Sequence, residues 1–153
     1  MDDLTIVEKR IATMTEVEID AVRRLETIGI FMPQIKIATQ HIIHAGMYAR
    51  TVMVPAGVVL TGSLMKIATL LIIQGDFLLF IGGKAKELHG YNIFTGGPNR
   101  KQAGVAITDT NITMIFPTSA KTVEEAEEQF TDETSILFSR YPDAENHVII
   151  TGD

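Results

Sequence analysis

Residues 46–83 read GMYARTVMVPAGVVLTGSLMKIATLLIIQGDFLLFIGG, and this stretch decides the fold class. Between Pro55-Ala56-Gly57, Gly75-Asp76 and Gly82-Gly83 it is almost entirely short runs of Val, Ile, Leu, Phe, Thr and Met. Branched and aromatic side chains suit a pleated, half-buried surface. Proline presets φ for the first corner of a turn, and glycine accepts the positive φ of the second. The stretch predicts consecutive antiparallel strands folding back on each other, with tight hairpins at Gly75-Asp76 and Gly82-Gly83.

Working outward, the same alternation predicts strands near residues 47–54, 58–65, 69–74, 76–81, 84–88, 91–95, 102–108 and 111–116. Asp109-Thr110 is a third expected hairpin, and residues 96–99 a wider turn. Upstream, Pro33 disfavours helix at Met32, and residues 34–43 form an extended approach. Strands this short and evenly spaced favour a sandwich or barrel over βαβ units.

Helices flank the strands. Thr15 and Glu18 have the spacing of a capping box, in which hydroxyl and carboxylate satisfy each other's orphan amides. Val17, Ala21, Val22, Leu25 and Ile28 then follow helical spacing, with Glu16, Asp20, Arg23 and Arg24 opposite and Gly29 as the stop. A shorter helical piece is expected over residues 4–11. Thr122 with Glu125 repeats the box, and Val123, Ala126 and Phe130 make an apolar stripe. Glu124, Glu125, Glu127 and Glu128 read as a solvated acidic face. Residues 147–151 can form a short strand in the tail, paired locally or with another subunit.

The 153 residues suit one domain, with a helical arm (1–33), a β-barrel (34–117) and a C-terminal helix and tail (118–153). The absence of cysteine excludes disulfides, thiolate metal sites and a cysteine nucleophile. MDDLTIVEKR is no secretory signal, and no apolar run reaches the roughly 20 residues of a spanning helix, so a soluble cytoplasmic protein is expected. A net charge of −6 argues against binding nucleic acid through its phosphates. Lys84, Lys86, Arg100 and Lys101 form a local basic excess that reads as a solvated loop rim.

Several segments together resemble one family. GMYARTVMVPAGVVLTG (46–62), IIQGDFLLFIGG (72–83), GPNRKQAGVAITDTNITMIFPT (97–118) and TVEEAEEQF (122–130), with the lead-in MPQIKIATQHIIHAGMYAR (32–50), look like the cupin-like proteins of bacteriophages and prophages. The resemblance covers roughly residues 30–130. It implies a mainly β fold, a cupin-like jelly roll or double-stranded β-helix, with an N-terminal helical arm and a short C-terminal helix. It also implies a homo-oligomer, with a dimer favoured, in the host cytoplasm or the virion. Fold does not fix activity.

Cupins that carry a metal hold it with histidines and a carboxylate, and the resemblance places them in a pattern like G-H-x-H-K-x-x-H. Here that region reads Gly62-Ser63-Leu64-Met65-Lys66-Ile67-Ala68-Thr69, so Ser63, Met65 and Thr69 stand where ligands would. The later motif, GVAITD, offers Ile107. Hydroxyl, thioether and aliphatic groups do not hold a Zn, Fe or Mn ion. No metal and no cofactor are therefore expected, and Ser63 and Met65, sharing a strand face, leave the barrel mouth as a pocket.

The remaining candidates each have a plainer reading beside them. Tyr48 and Arg50 share a strand face and can line a pocket for an anionic or aromatic ligand; the plainer reading is an outward face with Arg50 in a surface ion pair. Tyr91, Asn92 and Arg100 flank the 96–99 turn at the barrel rim, as pocket lining or as ordinary surface. His41 and His44, three apart, point to opposite faces of a strand and read as barrel-edge histidines rather than a ligand pair. His89 and His147 read as surface, and Met47, Met53, Met65 and Met114 as core filler. Residues 96–101 lack the spacing of a phosphate cradle.

The reading is a metal-free module that binds a small ligand or a partner chain, with Tyr48, Arg50, Ser63, Met65, Thr69, Tyr91 and Arg100 as pocket candidates and no catalytic residue. Two alternatives stay open. One is an enzyme, either a metal cupin using His41, His44 or His89, or a His/Tyr acid–base isomerase. The other is a purely structural oligomer. Neither nucleic acid nor membrane is an expected partner.

Overall fold

A computed structural model of the chain describes residues 9–81 and 84–152. Its elements are β1 (Arg10–Ile11), α1 (Glu16–Gly29), β2 (Ala38–His44), β3 (Met47–Val54), β4 (Val59–Thr61), β5 (Thr69–Gln74), β6 (Phe77–Ile81), β7 (Lys84–Leu88), β8 (Tyr91–Gly96), β9 (Ala103–Ala106), β10 (Thr110–Pro117), α2 (Val123–Phe130) and β11 (Asn146–Ile150). Two single-turn 3-10 helices, Thr134–Ile136 and Phe138–Arg140, lie in the tail.

The strands form a seven-stranded sheet in the order β1-β8-β5-β10-β3-β2-β11 and a four-stranded sheet in the order β4-β9-β6-β7. Each of β3 to β6 pairs antiparallel with its mirror-image partner, β3 with β10, β4 with β9, β5 with β8 and β6 with β7. Successive pairs fall alternately in the two sheets. The chain is thus one long hairpin with its tip between β6 and β7, wound into a coil: a double-stranded β-helix, or jelly roll. The pairing survives at the corners. Gly57 N donates to Ala106 O, Gly62 N to Gln102 O, and Gly75 N to Gly90 O.

This corrects the expected turns. Gly75-Asp76 and Asp109-Thr110 are not hairpins; each carries the chain from one sheet to the other. Gly75 needs its missing side chain there, because φ is +135° and a Cβ would lie 2.6 Å from Thr110 Oγ1 and 2.8 Å from Asp109 O. The hairpin expected across residues 82–83 lies outside the described residues, although β6 and β7 pair on either side of it. The strand expected over 58–65 ends at Thr61, leaving Met65 in a single bridge to Arg100.

Flanking segments widen the larger sheet. The last part of the expected extended approach is strand β2, paired antiparallel with β3. At the two edges, β1 lies parallel to β8 and β11 parallel to β2. The helix expected over 4–11 falls mostly outside the described residues, and its described end, Arg10–Ile11, is strand.

α1 begins with the complete Thr15–Glu18 capping box. It buries Ile19 and Val22, whereas Val17 and Ile28 of the expected stripe are exposed. α2 has half the second box: Thr122 accepts from Glu125 N, and the Glu125 carboxylate accepts from Lys121 N. Val123, Ala126 and Phe130 are buried, and so is Glu127, which overturns its place on a solvated face. The core lies between the sheets, with Tyr48, Leu71, Ile73, Phe77, Leu79, Phe94 and Met114 among its members. Met47, expected there, is exposed on the opposite side of β3.

Candidate functional site

Between its sheets the jelly roll holds a partly open cavity of about 150 Å³. Most of its wall is aliphatic and aromatic: Leu71, Ile73, Phe77, Leu79, Met114 and Phe130 line it with Met65 and the tail residues Leu137 and Phe138. Alternation along β5, β6 and β10 produces that wall, since every second residue of each strand faces inward. Polar groups reach it from few places: Arg50 of β3, Thr61 and Ser63 at the end of β4, and Arg100 and Gln102 before β9.

Arg100 is the largest fully buried side chain among the described residues, 1% exposed, which overturns its expected place on a solvated rim. Its Nε donates to Gln102 Oε1 (3.3 Å), Nη1 to Ile67 O (3.2 Å) and Gly97 O (2.5 Å), and Nη2 to Thr69 Oγ1 (2.6 Å). Gly96 makes the space, because a Cβ there would lie 2.5 Å from the guanidinium carbon. All four acceptors are neutral. Burial pushes the guanidinium down to about 10, still charged at neutral pH.

Lys101, next in the chain, is 0% exposed and joins Glu26 of α1 at 2.9 Å to Glu133 of the tail at 3.0 Å. It too leaves the expected rim and ties the flanks together.

Arg50 is buried rather than in a surface ion pair. Its Nη1 donates to Glu127 Oε2 at 2.7 Å and to the Tyr48 hydroxyl at 3.3 Å, and its Nη2 to Ser139 Oγ at 3.2 Å. The guanidinium carbon sits 5.5 Å above the centre of the Phe130 ring. Glu127 also accepts from Arg140 Nε at 2.6 Å and from the Ser139 hydroxyl. Burial alone raises the Glu127 carboxyl. The hydrogen bonds from Ser139 and Arg140 and the Arg50 charge outweigh it, leaving the group below the ordinary carboxylate range.

Beyond Arg50 lies a second, polar recess of about 290 Å³, lined by His41, Glu127, Ser139, Arg140 and Asn146 among others. Asn146 Nδ2 donates to Ser139 O, so its Oδ1 accepts from His41 Nε2 (2.7 Å), and His41 Nδ1 accepts from the Tyr48 hydroxyl (2.6 Å). Burial lowers His41 and pushes Tyr48 up to about 12. The polar groups of this recess are already bonded to each other. It works as a clamp joining α2 and the tail to the barrel.

The structure therefore brings Arg50, Ser63, Met65 and Arg100 to one cavity. Thr69 holds Arg100 from behind, and Tyr48 holds Arg50 and His41. Tyr91 is 60% exposed on β8, away from the cavity. Ile107 is exposed at the corner after β9, so the late-motif position does not face inward. His44, His89 and His147 are exposed. Gln102, a cavity residue not singled out from the sequence, faces Arg100 and carries a buried Nε2 without a hydrogen-bond partner.

Among the described residues the cavity wall holds no imidazole, carboxylate or thiolate. Among the described residues no three His, Cys, Asp or Glu converge as metal ligands. A transition-metal ion does not fit this donor set.

No protein-family model and no curated protein matches the chain. Solved structures similar to it include a cupin-superfamily protein of Desulfitobacterium hafniense, 9% identical over 60% of this chain and 88% of that one, at a TM-score of 0.46. KdgF from Halomonas is 20% identical over 53% and 78%, at 0.42. A salicylate 1,2-dioxygenase from Pseudaminobacter salicylatoxidans is 14% identical over 76% and 35%, at 0.48. Similarity at this level carries no argument about activity, and the jelly-roll assignment stands on the strand pairing. No helix of the described residues is long and apolar enough to cross a membrane.

Proposed function

We propose that this is a small-molecule-binding protein without a resident metal, carried by a bacteriophage or prophage and working in the host cytoplasm, where it sequesters a compact ligand inside the jelly roll. One observation carries the reading: a cavity of about 150 Å³ with an apolar wall and a few convergent polar groups, none a metal donor of the usual kind. Binding sites of small molecules have this make-up. A cavity of that size holds a molecule about as large as benzene.

The test is thermal unfolding with chelator present throughout. Benzyl alcohol raises the melting temperature in a saturable way, since a ligand that binds only the folded state stabilises it by mass action. Dependence of the shift on added Zn, Mn or Fe would contradict the reading. So would the absence of any shift.

An acid–base isomerase built on His41 and Tyr48 is less well supported. The two are in contact, but both imidazole nitrogens are engaged and the phenol is held near 12.

The protein works as a homodimer in this account. Supporting it are the exposed apolar side chains that end and follow α1, with Ile28, Ile30, Met32 and Ile35 beside Phe31, which is 84% exposed. Light scattering is expected to give twice the chain mass, and half of that for Phe31→Glu; a wild-type monomer would contradict this.

A further inference from the structure

Taking the cavity as a ligand site, as above, its charge states what it takes. The chain is acidic overall, at −6, yet among the described residues the cavity wall carries two guanidinium groups and no carboxylate. Arg50 is balanced by Glu127, which it shares with Arg140. Arg100 makes no ion pair among the described residues, and its four hydrogen bonds run to neutral oxygens. Burying a cation without an anion is costly. One N–H of its Nη2 is left without an acceptor among the described residues, a guanidinium having five N–H groups.

A second observation points to the same spot. Gln102 gives its Oε1 to Arg100 Nε, which fixes the amide and leaves its Nε2 buried with no acceptor. Two residues that line the cavity, Gln102 and Arg100, thus each carry an N–H that lacks an acceptor among the described residues. The same cavity is lined by Leu71, Phe77 and Met114, which offer only apolar contact.

We propose that the cavity selects a compact organic monoanion, a carboxylate on an apolar body about the size of a benzene ring, with the carboxylate received by Arg100 and Gln102 Nε2. The ligand supplies the charge that the protein leaves out. Charge-assisted bonds of this kind discriminate strongly, because a neutral isostere leaves the cation unbalanced.

The experiment compares benzoate with benzyl alcohol by calorimetric titration in chelator, on wild type and on Gln102→Glu. In wild type, benzoate binds about tenfold or more tightly than benzyl alcohol. Gln102→Glu places an internal carboxylate against Arg100, so it weakens benzoate far more than benzyl alcohol and unfolds at a higher temperature. Should that variant not fold, Gln102→Leu serves instead, and lowers the preference for benzoate over benzyl alcohol about tenfold. Benzyl alcohol binding as well as benzoate in wild type would overturn the anion inference while leaving the cavity a ligand site. Undiminished benzoate binding by Gln102→Glu would overturn it too. If neither probe binds wild type, the cavity is no ligand site and both readings fall.

Discussion

Glu127→Ala is expected to lower the free energy of unfolding by about 3–5 kcal/mol in urea denaturation at neutral pH, because it leaves a buried cation unpaired. Arg50 is almost fully enclosed and has no other carboxylate within ion-pair distance among the described residues, whereas Arg140, partly exposed, can turn to water. The loss has a pH signature. The folded carboxyl of Glu127 lies below its ordinary value, so its stabilisation is complete above that value and disappears as pH falls through the folded one. Wild type and variant should therefore converge in acid. His41 adds an earlier limb: burial lowers it in the folded state, so the unfolded chain takes up its proton first, and stability begins to fall below about pH 6.5. A neutral-pH loss under about 1 kcal/mol, in the range of surface pairs, would show that the clamp contributes little.

Phe130→Ala is expected to cost a similar amount, about 3–5 kcal/mol, from the lost burial of a core ring and the space left behind. Phe130 packs edge-on against Phe116 at 6.0 Å between centroids, supports the Arg50 guanidinium, and forms part of the cavity wall. Its removal therefore changes binding as well as stability. The variant should accept a two-ring apolar probe that wild type rejects, and that probe should recover part of the lost melting temperature. If both proteins rank one-ring and two-ring probes alike, Phe130 is not part of the wall that sets ligand size.

Much of the strand pattern was legible. Met47–Val54, Thr69–Gln74 and Lys84–Leu88 match the predicted bounds because alternation and punctuation agree there. The winding was not legible from local signals. Gly75-Asp76 has the composition of a hairpin, and only the pairing of β5 with β8 and β10 shows that the chain leaves the sheet there. Strand β2 was missed because its turn into β3 is Ala45-Gly46, with φ of 52° and 72°. A two-residue hairpin turn of type I′ needs positive φ at both positions, and alanine does not announce it.

The site was half visible. Tyr48 and Arg50 share the face of Val54, a pattern that fits an inward as well as an outward side. Glu127 could have been found, since it lies four residues after Val123 and three before Phe130, on the stripe of α2. Its setting in an acidic run hid that. The burial of Arg100 and Lys101 depends on partners distant in the chain, Ile67 and Thr69 for one and Glu26 and Glu133 for the other. No spacing rule reaches those, and residue type alone suggests surface.

The central claim is that side chains alone hold a small molecule between the two sheets. Its most direct test is methyl NMR of methionine-labelled, chelator-treated protein titrated with benzoate. Met65 and Met114 line the cavity, while Met32 and Met47 are exposed outside it. The account predicts that the Met65 and Met114 methyl signals move in a saturable way while Met32 and Met47 stay in place. Signals of Met65 and Met114 that stay still, or that move only after a transition metal is added, would contradict it.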